Sequence, residues 1–182
     1  RNTRKLRTGM LRGNRFTLTV RQCRGDAQAL AVRLAAIARL GVPNYFGPQR
    51  FGHDGANLPG AWRMLGGRRE RSRQRRGWYL SAARAFLFNR VLAARVENGS
   101  WASPLSGDWL SFTTSGSLFP ETNLSPTDPR LPRGEIHPTG PLPGRGGARP
   151  EAEAGVLEEA VLDYWPEARR GLERMGVDGA RR

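Results

Sequence analysis

The sequence predicts an α+β fold, and three observations predict it. Residues 15–21 alternate, with Phe16, Leu18 and Val20 on one side and Thr17, Thr19 and Arg21 on the other, the period of a strand with one buried face. Several other stretches place apolar residues three and four apart, as amphipathic helices do. Residues 99–149 are rich in Gly, Pro, Ser and Thr, with apolar islands such as Trp109-Leu110-Ser111-Phe112, the texture of short strands and ordered loops.

Taken in order, the turn at Gly13-Asn14 leads into the strand. Asp26 is suited to cap a helix that runs to Leu40, with Leu30, Leu34, Ile37 and Leu40 near helical spacing. Gly41 ends that helix and Pro43 prevents its continuation. A second short helix is expected from Asn57 to Leu65, closed by Gly66-Gly67. Residues 68–76 hold six arginines in nine positions, which reads first as a solvated linker or surface loop and second, compatibly, as a contact for phosphates. Ser81 is expected to cap a third helix, whose Phe88, Leu92 and Val96 form an i, i+4, i+8 core stripe beside Leu87, Val91 and Ala94. It ends at Asn98-Gly99. Seven prolines between Pro120 and Pro143 exclude a long helix there. Pro150 then opens a helix through Trp165 with Leu157, Ala160, Val161 and Tyr164 on one face. Pro166 breaks it, and a last amphipathic piece runs to Met175 before Gly176.

With 182 residues the chain can hold one good core, or one domain and part of another. Its charge is uneven. Residues 1–98 carry 21 basic and 4 acidic side chains, whereas 99–182 carry 9 and 12. Only Lys5 is a lysine, so a coding bias accounts for Arg over Lys, but not for the local excess of cations over acids. That excess points to a polyanionic partner gripped mainly by the first half. Cys23 is the only cysteine, which rules out a disulfide framework or a cysteine zinc site within one chain. With His53 and His137 the only histidines, a histidine-rich metal site is out of reach, and neither metal nor cofactor is expected. No apolar run approaches the roughly 20 residues that span a bilayer. The opening Arg1-Asn2-Thr3-Arg4-Lys5 has no initiator Met and no apolar signal-peptide core. A cytoplasmic, reducing setting is expected, in a chain that begins inside a longer protein.

Few motifs carry chemistry. The run Gly140-Pro141-Leu142-Pro143-Gly144-Arg145-Gly146-Gly147 lacks the Gly-Lys-Ser/Thr ending of a phosphate-binding P-loop. There is no Gly-x-Ser-x-Gly elbow for a serine hydrolase. Glu151, Glu153, Glu158 and Glu159 read as a solvated helix face, and His53-Asp54 as a polar turn. What remains is the loop from Gly41 to Gly52, Gly-Val-Pro-Asn-Tyr-Phe-Gly-Pro-Gln-Arg-Phe-Gly. Its prolines and glycines limit the backbone while it displays flat rings, an amide and a guanidinium, which suits a grip on a base and its phosphate. On the residues alone, a structural turn with Phe46 and Phe51 filling a core is an equal reading.

This loop resembles the signature of the TruD family of tRNA pseudouridine synthases. Three further regions resemble the same family in order: residues 4–16, residues 80–89 (Leu-Ser-Ala-Ala-Arg-Ala-Phe-Leu-Phe-Asn), and Ile136-His137-Pro138-Thr139-Gly140-Pro141-Leu142 with the final 176–182. The resemblance implies that residues 1–70 are part of a pseudouridine synthase catalytic core. Residues 71–182 would then be most of an insertion domain, incomplete at its C-terminal end. It implies a cofactor-free, metal-free isomerisation of a flipped-out uridine in tRNA, by a monomer. Asn44 would hold the catalytic aspartate or the base, Phe46 would pack against the base, and Gln49 and Arg50 would support them. The family's aspartate lies in a Gly-x-Lys-Asp-like motif that this sequence does not contain, and Asp26 and Asp54 do not fit its place. No catalytic residue is therefore assigned, and the chain alone is expected to be inactive. A non-catalytic basic RNA-binding or ribosome-associated protein is the alternative, and an inactive truncated gene product a third.

Overall fold

Asp26 opens the first helix as its sequence predicts: its carboxylate accepts hydrogen bonds from the Gln28 and Ala29 N–H groups, each at 3.0 Å. That helix is α1 (Ala27–Leu40). The structure is a computed structural model that describes residues 15–122, 124–125 and 128–182. The expected turn at Gly13-Asn14 lies outside the described residues. The chain divides into two compact units, Arg1–Arg39 and Leu40–Arg182.

In the first unit, residues 15–21 do not form the expected strand, and Phe16, Leu18 and Val20 are 78%, 82% and 76% exposed. Alternation prepares a face, but a strand also needs a neighbour for its backbone hydrogen bonds, and no described residue pairs with this segment. The apolar stripe of α1 is open too, with Leu30, Leu34, Ile37 and Leu40 about half exposed.

The second unit is built on α3 (Arg73–Glu97). This helix starts well before Ser81. Ser72 has extended backbone and its hydroxyl accepts from the Arg75 N–H at 3.3 Å. Glu70 in turn accepts from the Ser72 N–H at 2.8 Å and pairs with Arg75 at 3.2 Å; the backbone bond to Ser72, ahead of the Arg75 charge, lowers its carboxyl pKa. Arg73, Arg75 and Arg76 thus belong to a helix, not a linker. Periodicity misses its start because Arg73-Gln74-Arg75-Arg76-Gly77 offers no apolar stripe. The C-terminus falls at Asn98, as expected.

Two helices pack on α3, α2 (Asn57–Leu65), which ends at Gly66 as its sequence predicts, and α4 (Ala152–Leu162), while α5 (Pro166–Arg174) packs on α2. Ala61, Leu65, Ala83, Leu87, Val91 and Leu172 are at most 2% exposed and form the centre of this core. Trp62, Phe86 and Trp165 close one side through edge-to-face contacts of 5.4 and 5.3 Å. The core line of α3 runs Leu87, Val91, Arg95 rather than Phe88, Leu92, Val96. Phe88 is buried, Leu92 half-buried, and Val96 exposed. On α4 the buried line is Ala154, Glu158, Leu162, while Ala160 faces solvent and Leu157 and Val161 pack at the core margin; the helix spans less than the expected Pro150–Trp165 and leaves the exposed Tyr164 in a turn beyond it.

The Gly/Pro-rich region folds into the short strands its texture predicts. Strand β1 (Trp109–Phe112) lies between β2 (Leu118–Pro120) and β3 (Ile136–Pro138), both antiparallel, with Leu110 opposite Phe119 and Pro138. Strand β4 (Pro141–Leu142) pairs antiparallel with β5 (Ala180–Arg181), which brings the last residues back to the middle of the unit.

Two buried ion pairs join these layers. Arg95, 3% exposed, forks onto Asp108, 0% exposed, with Nη1–Oδ1 at 2.8 Å and Nη2–Oδ2 at 2.5 Å. Asp108 also accepts from the Leu105 N–H at 2.9 Å, so the pair fastens the end of α3 to the entry of β1. Arg181 is bound to Glu158 through both Nη atoms and donates from Nε to Thr139 Oγ1 at 2.7 Å. Glu158 is therefore a buried partner and not part of a solvated face, because β5 delivers a guanidinium to it. Burial pushes its carboxyl above the usual range and Arg181 pulls it back. Removing one member of a buried pair strands the other, at about 3–5 kcal/mol. Asp108→Ala should accordingly lower unfolding free energy by that amount in urea titrations followed by circular dichroism. Arg133→Gln, in the exposed pair with Glu135, should leave the midpoint unchanged.

Candidate functional site

The loop between α1 and α2 is ordered by its own turns and by one side chain of α3. The Tyr45 N–H reaches the Pro43 carbonyl at 3.0 Å, and the Arg50 N–H reaches that of Gly47 at 3.0 Å, opening a single 3₁₀ turn over Pro48–Phe51. Pro48 sits in its first turn, where a missing N–H costs nothing. Gly52 leaves the turn at φ +81°, and a Cβ there would lie 2.9 Å from Asn57 Nδ2, so both conformation and space call for glycine.

Asn89 holds the loop at its centre. Its Oδ1 accepts from the Phe46 N–H and its Nδ2 donates to the Phe46 carbonyl, both at 2.9 Å. One amide thus satisfies both main-chain polar groups of one residue, as a strand neighbour would. The Phe46 ring then meets the edge of Phe88 at 5.3 Å and 80°. Phe88 is itself fixed by Gly140, where a Cβ would stand 2.7 Å from the ring. Gly140 exchanges both backbone hydrogen bonds with Arg182, at 2.8 and 3.0 Å, and so places the last side chain beside the loop. The Arg182 guanidinium lies 4.0 Å from the Phe46 centroid and donates to Asn44 Oδ1 at 3.2 Å. Arg50 lies 5.2 Å from the same centroid and donates to Ser81 Oγ at 2.9 Å.

Asn44, Phe46, Gln49 and Arg50 are therefore brought together on one loop, but they open onto two cavities. Phe46, Gln49 and Arg50 line a groove of about 820 Å³ that also holds Trp78. Asn44 lines a neighbouring cavity of about 380 Å³ with Phe88 and His137. Burial pushes the His137 imidazole below its usual range, which favours its neutral form at neutral pH. Arg182 lines both cavities. His53 and Asp54 pair at 3.2 Å, both nearly fully exposed, the polar turn their sequence suggests. Among the described residues no group of three or more His, Cys, Asp or Glu could hold a metal ion, and no helix is long and apolar enough to cross a membrane.

Sequence reading missed three working side chains. Asn89 carries no assigned role in the sequence reading, although a polar amide directly after Leu87-Phe88 is a detectable signal. Ser81 was taken for a cap and instead accepts from Arg50. Arg182 stands 138 residues from Asn44, and no local pattern connects them. Arg84 is half-buried and donates to the Leu142 and Asp178 carbonyls, each at 2.9 Å. Losing both Asn89 bonds leaves the Phe46 N–H and C=O unpaired, at about 1–3 kcal/mol for each group that stays buried. Asn89→Ala should therefore cut protection of the Phe46 amide about tenfold or more in hydrogen exchange, while the Leu87 amide in the core keeps its protection.

The family model described as "tRNA pseudouridine synthase D (TruD)" matches residues 1–58 and 69–175. A protein named tRNA pseudouridine synthase D from Methylococcus capsulatus is 47% identical over 184 aligned positions, covering all of this chain and 52% of that protein. One of the same name from Nitrosococcus oceani is 46% identical, covering all of this chain and 51% of the relative. The chain thus spans about half the length of the curated relatives it matches. A crystal structure assigned to TruD from Methanosarcina mazei superposes with a TM-score of 0.54 at 18% identity, over 85% of this chain and 54% of that one, and shares its mixed helix-and-strand fold. The family match covers well over half of the sequence, and the chain belongs to the tRNA pseudouridine synthase D (TruD) family.

Proposed function

We propose that this chain supplies one wall of a uridine pocket in a tRNA pseudouridine synthase. The observation that carries the reading is the joint display of Asn44 and Phe46 on a loop clamped by Asn89, in a member of this family. Isomerisation requires the glycosidic carbon to be reached, so the uridine leaves its stack. Phe46 offers the flipped ring a stacking surface, a contact of about 1–3 kcal/mol. Asn44 offers an amide that can pair with the polar edge of the base or orient an aspartate. Gln49 and Arg50 support the loop and its rim.

By family resemblance the aspartate belongs to a Gly-x-Lys-Asp-like segment that is not in this sequence, so no residue here is assigned a catalytic role. Residues 1–70 are assigned to the catalytic core and 71–182 to the insertion domain. The Asn89–Phe46 bonds then join the two, with the core's substrate loop seated on an insertion-domain helix. Basic side chains outside the groove fit the same substrate. Arg68, Arg69, Arg76 and Arg174 gather around one hollow of about 340 Å³, and there Arg174 is tied to the Leu65 carbonyl at 2.6 Å. Contacts of this kind add affinity without reading sequence.

Two measurements test the reading. Asn44→Ala in a full-length chain should abolish tritium release from uridine-labelled tRNA while tRNA affinity changes less than about threefold, below 1 kcal/mol. A variant with normal turnover removes Asn44 from the site. Affinity of the 182-residue chain for tRNA should fall steeply as salt rises from 50 to 200 mM, about tenfold or more if several phosphates are contacted. A flat response would show that the arginines do not contact phosphates.

A further inference from the structure

Two guanidinium groups share one phenylalanine ring in this site, and among the described residues neither is paired with a carboxylate. Arg182 lies 4.0 Å and Arg50 5.2 Å from the Phe46 centroid. Among the described residues their side-chain acceptors are neutral, Asn44 Oδ1 for Arg182 and Ser81 Oγ for Arg50, and no Asp or Glu lines their groove. Elsewhere in the unit Arg95 meets Asp108, Arg169 meets Glu159 and Asp163, and Arg181 meets Glu158, while Arg84 and Arg174 end on backbone carbonyls. The groove is thus a place where positive charge is gathered and left uncompensated. The fold also invests in placing it, since Arg182 is set by paired backbone bonds to Gly140 and Arg50 by a 3₁₀ turn. Burial, and then repulsion from Arg50, lower the Arg182 pKa, as expected of a cation lacking a counter-ion.

We propose that Arg50 and Arg182 form a phosphate subsite, which takes the backbone phosphate next to the nucleotide whose base stacks at Phe46. The subsite rests on the uridine-pocket reading and adds to it the group that fixes the sugar-phosphate side of that nucleotide. Guanidinium forks suit phosphate oxygens, and a cation held against an aromatic face keeps donors on its rim free for a ligand. Arg182 has a second consequence. It donates to Asn44, so a phosphate that draws Arg182 toward Arg50 releases the Asn44 amide to the base. Binding of the phosphate and of the base is then coupled through one side chain.

The test uses the 182-residue chain with three probes, uridine 5′-monophosphate, uridine and inorganic phosphate, read by chemical-shift titration of the arginine Nε–Hε and asparagine side-chain signals. Uridine 5′-monophosphate should bind at least tenfold more tightly than uridine, with the Arg50, Arg182 and Asn44 signals shifting together. Inorganic phosphate should move the two arginine signals and, because Arg182 leaves it, the Asn44 side-chain signal. Arg182→Gln and Arg50→Gln should each remove most of the tenfold difference, while Arg170→Gln, an equal loss of charge at an exposed position on α5, should keep it. Arg182→Lys, which keeps charge but not the fork, should retain only part. Equal binding of uridine and its monophosphate, or an equal loss in Arg170→Gln, would overturn the subsite. If phosphate binds at Arg50 and Arg182 and uridine adds nothing, the subsite stands and the uridine-pocket reading falls. If uridine binds and phosphate adds nothing, the reverse holds.

Discussion

The paired hydrogen bonds between Asn89 and the main chain of Phe46 are the constraint on which the site depends. A loop of this composition resists collapse but has no reason to adopt one position against the helices. The Asn89 amide supplies that reason at both polar groups of a single residue, 43 positions away along the chain. Once Phe46 is pinned, its ring must meet Phe88, one residue before Asn89 on α3. Gly140 and Arg182 follow, because Phe88 leaves no room for a Cβ at 140 and the partner of Gly140 in backbone pairing is Arg182. Four distant segments are thereby ordered around one aromatic ring. The loop's own turns add shape, but the side chain from α3 sets its place.

Electrostatics divides the unit in two. Where an arginine is buried it finds a carboxylate and neighbouring carbonyls, as Arg95 and Arg181 do, since an unpaired interior charge is prohibitive. Such pairs add little net stability over an apolar substitute, yet they fix which strand end meets which helix. At the groove the rule is reversed, and Arg50 and Arg182 are held by neutral acceptors and an aromatic face. Arrangements of that kind cost stability through mutual repulsion, which a negatively charged ligand would relieve. The uneven charge of the sequence is the large-scale form of the same division. Acids concentrate in the second half, where Glu158 and Glu159 of α4 pair with arginines, while Arg68, Arg69, Arg71, Arg73, Arg75 and Arg76 of the first half stand exposed.

Much of the architecture was legible because local signals coincide with element ends. Asp26, Gly41, Gly66, Asn98 and Pro166 each act where periodicity changes, and the helices expected there exist. The errors share one cause, which is that periodicity reads side chains and not partners. Residues 15–21 have the pattern of a strand and lack a described ladder neighbour. Residues 73–77 have no apolar pattern, yet Ser72 and Glu70 start a helix over them. The α4 face was misplaced by one helical position because Glu158 was assumed to seek water, when Arg181 waits for it across the sequence. Within the site, the motif loop was visible as twelve residues, and its supports were not. Asn89 and Arg182 lie 43 and 138 positions from the loop residues they touch, beyond any local pattern.

The same reasoning explains why Asn44 and Phe46 face different cavities although they stand two residues apart. In an extended segment successive side chains alternate, so residues i and i+2 share a side. The Tyr45 N–H folded back to Pro43 interrupts that alternation, and Asn44 lines the cavity of Phe88 and His137 while Phe46 lines the groove of Trp78 and Gln49. A uridine gripped by both must therefore straddle the ridge between the cavities, with its ring on one side and its polar edge on the other. Arg182 occupies that ridge, hydrogen-bonded to the amide and lying over the ring. It presents a flat, planar donor to both residues, as a uracil ring would. A ligand that takes its place must offer the same two features at once, a π face and an N–H on its edge, which a uracil does and a phosphate alone does not.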